Sequence, residues 1–146
     1  MLQEEMPFHQ VRSFVDRPVF PERFKERLAG QGIIDVLENR DGNIENILAA
    51  VAVFEECGRS LLPYPLLENV IGAFILTKDP AKSALREKVA GGQTLLSIAW
   101  GTEDAVFAAE EPSGYRLLGK VSEIPFGNEA DVALATLQIP DPLGHT

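Results

Sequence analysis

The sequence predicts an α+β fold, an N-terminal helical bundle followed by a small antiparallel β-sheet. Apolar residues recur at helical spacing up to about residue 90, and alternating runs take over after Gly91-Gly92. The 146 residues suit one domain or two small layers sharing a core, and 45% hydrophobic with 24% charged residues is ordinary for a folded chain. The expected division is a helical domain over 1–91 and a partial β-domain over 92–146.

Each element has a local reason. Pro7, Pro18 and Pro21 crowd the first segment and argue against a long helix there. Pro21 suits a first helical turn, and Glu22 to Ala29 should be helical, with Phe24 and Leu28 on one face and Gly30 as a left-handed stop. Gly32 to Leu37 is expected to be a strand-like connector, and Asp41-Gly42 a turn. Asn43 can cap the next helix, whose Ile44, Ile47, Leu48, Val51 and Phe54 form one apolar stripe at helical periodicity. Gly58 is expected to stop this helix, with Cys57 a small buried hydrophobe at its end.

Pro63-Tyr64-Pro65 makes a stiff bend. The helix from Leu66 to about Thr77 is apolar almost all round, so it should be buried between neighbours or docked on a partner. Asp79-Pro80 opens a third helix through about Ala90, ended by Gly91-Gly92. Leu95–Trp100 and Ala105–Ala109 read as short strands and Glu111-Pro112-Ser113-Gly114 as a turn. Tyr115–Glu123 and Asp131–Ile139 alternate as strands do.

Composition excludes several functions. With 13 Lys+Arg against 22 Asp+Glu, the formal charge of −9 repels phosphate backbones and anionic membranes, so no nucleic-acid partner is expected. No apolar run is long enough to span a bilayer, so no membrane insertion is expected either. The N-terminus does not resemble a secretory signal, and the cytoplasm is the expected compartment. A lone cysteine forms no intrachain disulfide, and His9 and His145 lie far apart without ligand-spaced companions, so no metal is expected. The carboxylate pairs Glu55-Glu56 and Glu110-Glu111 diverge on a helix or a strand, which makes neither a natural acid/base dyad. No phosphate loop or nucleophile elbow is present, and no catalytic residue is nominated.

The order of motifs adds a resemblance. An apolar helix ending in Glu55-Glu56-Cys57-Gly58-Arg59, a bend at Pro63 and Pro65, and a further apolar helix resemble the N-terminal helical domain of the acyl-CoA dehydrogenases. Arg27–Ile33 resembles the segment before that family's first β-like turn, and Lys82–Gly91 the helix before its middle β-domain. Gly114-Tyr115-Arg116-Leu117-Leu118-Gly119-Lys120 resembles its hairpin, and Ile124-Pro125-Phe126 with Ala130-Asp131 its following elements. The resemblance covers roughly residues 24–139.

It implies a role in fatty acid metabolism: a flavoprotein oxidoreductase using FAD to oxidise acyl-CoA thioesters at Cα–Cβ. The implied partners are acyl-CoA or a related dehydrogenase subunit, in an oligomer. By this resemblance the cofactor-binding positions are Trp100, Thr102, Glu103, Glu123, Ile124 and Pro125. Glu123 and Pro125 stand where the family carries an aromatic and a hydroxyl, and Asp104 stands where a proline follows Thr-Glu. The family's catalytic glutamate lies in a C-terminal helical domain not represented in these residues, so the chain alone is not expected to be catalytic. The alternative expectation is a non-catalytic binding or assembly module built on the same scaffold.

Overall fold

The computed structural model describes residues 11–13, 22–37, 44–100, 106–121 and 123–136. Its elements are α1 (Glu22–Gly30), α2 (Ile44–Arg59), α3 (Leu66–Leu76), a 3₁₀ turn (Pro80–Lys82), α4 (Ser83–Ala90), β1 (Leu96–Ala99), β2 (Phe107–Glu111), β3 (Gly114–Leu118) and β4 (Val132–Ala135). Helices precede Gly91-Gly92 and strands follow, giving the α+β class. The buried cluster nevertheless runs across that point: Phe24, Leu28, Ile34, Cys57, Tyr64, Leu66, Val70, Ala73, Leu76 and Val89 join Leu95, Leu96 and Ile98.

α1 buries Phe24 and Leu28, one helical turn apart, and the Phe24 ring meets Tyr64 edge-on at 6.0 Å between centroids. The left-handed residue after it is Gly32 (φ 68°), not Gly30, which is still helical. Residues 31–37 form successive turns rather than the expected strand-like connector, because Ile33 and Val36 pair locally through a Val36 N–H to Ile33 carbonyl bond of 3.4 Å. Ile34 still reaches the core, and Asp35 is tied to Arg86 of α4 at 2.8 Å. Asn43 and the Asp41-Gly42 turn lie outside the described residues.

α2 passes through Gly58 and ends at Arg59, whose guanidinium holds Glu55 at 2.6 Å one turn back. The apolar stripe at Ile44, Ile47, Leu48 and Val51 is not the face this chain buries. Ala50 and Cys57 face the core, with Val53 and Phe54 beside them, whereas Ile44 (63%), Ile47, Leu48 (61%) and Val51 are exposed. At about 100° per residue, the exposed four sit roughly 120° around the helix from Ala50 and Cys57. Periodicity identifies an apolar face but not what covers it.

α3 follows the Pro63–Pro65 bend and buries Leu66, Val70, Ala73 and Leu76, leaving Leu67, Phe74 and Ile75 exposed. It packs on β1, where Gly72 makes room for Leu96: a methyl at position 72 would overlap the Leu96 side chain. Asp79 caps the following turn by accepting the Ala81 N–H at 2.9 Å, with Pro80 in the first position as expected. α4 then ends at Gly91-Gly92, where Gly92 adopts φ 70° and a Cβ would stand 2.8 Å from the Lys25 carbonyl of α1. Only glycine both turns the chain there and lets α1 approach.

The expected antiparallel sheet is the β2–β3 hairpin, closed by Pro112-Ser113 in register Glu111↔Gly114 to Phe107↔Leu118. β3 ends at Leu118, short of the expected Glu123. β1 and β4 form a second pair, running parallel in register Leu96↔Val132 to Ala99↔Ala135, with the hairpin in the crossover. Strand alternation carries no direction, so this pairing was not legible in advance. The predicted extension of β4 beyond residue 136 lies outside the described residues.

Candidate functional site

The best-organised polar structure sits at the junction of α3 and β1. Asn69 lies in the apolar stretch of α3 and is 0% exposed. Its side-chain amide donates to the Pro65 carbonyl at 2.7 Å and the Leu96 carbonyl at 2.9 Å, while its oxygen accepts the Leu96 N–H at 3.1 Å. Leu96 turns those backbone groups away from β4, and Asn69 therefore substitutes for a neighbouring strand on that edge. A buried amide with its groups so engaged positions rather than reacts.

The opposite edge of β1 is held by the loop before β4. Leu95 and Asp131 exchange two bonds: the Asp131 N–H to the Leu95 carbonyl at 2.9 Å, and the Leu95 N–H to Asp131 Oδ2 at 2.8 Å. Ser97, wholly buried, donates its hydroxyl to the Pro125 carbonyl. The loop folds back on itself, with Gly127 N–H to Ile124 carbonyl at 3.0 Å, and Glu129 and Ala130 N–H to Phe126 carbonyl at 3.0 and 2.9 Å. Phe126 is left-handed (φ 53°).

The residues nominated from sequence fall around this strand. Trp100 is exposed just after β1; Ile124 and Pro125 are half-buried in the loop, and Glu123 is exposed. Ser97 thus brings Pro125 to a strand that ends one residue before Trp100. Thr102 and Glu103 lie outside the described residues. Sequence reasoning did not single out Asn69, Ser97 or Asp131 as individuals. Their signals were present: one amide inside an apolar helix, one hydroxyl inside the run Leu95–Ala99, and one carboxylate opening an alternating strand.

The reactive groups are quiet. Burial, and then the Glu56 charge, push the Cys57 thiol above its ordinary range, which keeps it protonated and unreactive near neutral pH. This agrees with its reading as a small buried hydrophobe. Among the described residues there is no cluster of three His, Cys, Asp or Glu that could hold a metal, and no helix long and apolar enough to cross a membrane.

What the surface offers is apolar. Besides the α2 stripe, Leu67, Phe74 and Ile75 of α3 and Phe107, Tyr115, Leu117 and Leu118 of the hairpin are exposed. In the hairpin register Phe107 and Leu118 share one face and Leu117 and Tyr115 the other, so both faces carry open apolar side chains. A two-stranded hairpin of this kind is marginal unless something packs against it.

No family model matches the chain, and no curated protein or solved structure is similar to it.

Proposed function

We propose that this chain is an acyl-CoA dehydrogenase-like protein, part of an FAD-dependent system that oxidises acyl-CoA thioesters at Cα–Cβ, and that it acts there as an assembly component rather than as the catalyst. The motif order supports the family reading. The Glu55-Glu56-Cys57-Gly58-Arg59 run ends an apolar helix, Pro63 and Pro65 turn the chain, and the next helix lies on the first strand. The Gly114–Leu118 segment forms a hairpin strand, as the resemblance implies.

The observation that carries the assembly role is the open stripe Ile44, Ile47, Leu48 and Val51 on α2. Four aliphatic side chains on one helical face, with further apolar groups exposed on α3 and on both faces of the hairpin, mark surfaces that a partner covers. The occupant is the flavin- and base-bearing part of a dehydrogenase, supplied by polypeptide outside these residues. The cytoplasm is the proposed compartment.

Co-expression with a flavin-containing acyl-CoA dehydrogenase subunit tests this. The account expects a complex in which flavin absorbance co-sediments with this chain and acyl-CoA reduces an artificial electron acceptor. Separate sedimentation of the two chains at all concentrations counts against it.

A further inference from the structure

We infer that the segment 123–131 is a clamp on the β1–β4 pair and does not bind flavin in this chain. The inference uses the dehydrogenase-like reading only to say which ligand these positions would otherwise meet.

The two nominated positions that depart from the family pattern are Glu123 and Pro125. A flavin needs hydrogen-bond donors around its polar ring edge and, once reduced, an environment that tolerates negative charge. Pro125 has no N–H, and its carbonyl accepts the hydroxyl of the buried Ser97. Glu123 projects an exposed carboxylate, an acceptor that repels an anionic ring. Neither side chain donates, so these two positions of segment 123–131 do not fit the group.

The same segment is instead committed to the strands. Ile124 and Phe126 carbonyls are capped within the loop, and a side chain at Gly127 would crowd Ile124, whose carbonyl stands 3.1 Å from the Cβ position. Asp131 then grips Leu95 through two bonds. Pro125 and Asp131 hold the β1 segment from two points of one loop, at Ser97 and Leu95, and the loop delivers Val132 into register with Leu96. Residues that the resemblance would place beside a cofactor set the strand pairing here.

The experiment uses the purified 146-residue chain, chosen from preparations that melt cooperatively. FAD is added in excess and unbound flavin removed by gel filtration, with thermal unfolding of wild type and Ser97→Ala followed in parallel. The expected result is a colourless protein peak, FAD fluorescence unquenched by the chain, and a midpoint several degrees lower for Ser97→Ala. Near-stoichiometric flavin in the protein peak overturns the inference, as does a Ser97→Ala midpoint equal to wild type. Complex formation with a dehydrogenase subunit is read separately, so failure here is distinguishable from failure of the assembly role.

Discussion

α2 and α3 are both rich in aliphatic residues, yet they are satisfied in different ways. α3 meets β1 through a glycine that admits Leu96, and its one amide, Asn69, has three hydrogen bonds. α2 touches the core along a narrow face of Ala50, Cys57 and the flanks of Val53 and Phe54. Its widest apolar stripe points elsewhere, and the buried Asn46 Nδ2 and the Ser60 Oγ just past its end find no hydrogen-bond partner among the described residues. The lesson is that apolar content fixes neither burial nor docking. A helix is committed when its polar groups are also answered, and α3 is committed while α2 is not.

Breaking the α3 side should cost most. Asn69→Ala removes three hydrogen bonds and leaves the buried Leu96 N–H and carbonyl unanswered, an expected loss of about 3–5 kcal/mol in urea unfolding. A smaller loss should follow Gly92→Ala, which forces a side chain into a left-handed turn and against the Lys25 carbonyl. About 2–3 kcal/mol is expected from the same measurement.

Cys57 sharpens the comparison at the α2 core contact. Its thiol is held neutral in the folded chain, so its contribution to stability is fully present below the ordinary thiol value near 9.0. That contribution is lost as the pH rises from there through the raised folded value. Iodoacetamide at pH 8 should therefore label the native chain at least about tenfold more slowly than the urea-unfolded chain, whose thiol ionises freely. Equal rates would mean that α2 does not seal Cys57.

The smallest stability change is expected on the open face. Leu48→Glu puts a charge where solvent already reaches, and its unfolding free energy should stay within about 0.5 kcal/mol of wild type.

The same contrast explains what could be read in advance. Phe24 and Leu28, the Pro63–Pro65 bend, the Asp79-Pro80 cap and the Pro112-Ser113 turn depend on neighbours in sequence, and each fell where local chemistry puts it. The orientation of α2, the parallel β1–β4 pairing and the part played by Asn69 depend on contacts between distant segments. Asn69 and Leu96 are 27 residues apart, and Asp131 and Leu95 are 36 apart. Hydrophobic periodicity says that a face is apolar; it does not say whether this chain or another one covers it. Around the nominated positions, the resemblance named Trp100 and Pro125 as cofactor-binding without relating them to one strand, and the grip of Ser97 on Pro125 could come only from the fold.

The central claim is that the open stripe of α2 is where a dehydrogenase subunit sits. Sedimentation velocity of the chain with that subunit, comparing wild type and Leu48→Glu, tests it most directly. The account predicts that wild type moves with the flavin-bearing subunit and that Leu48→Glu, equally well folded, sediments alone. Binding of both forms with equal affinity, or of neither, would contradict it.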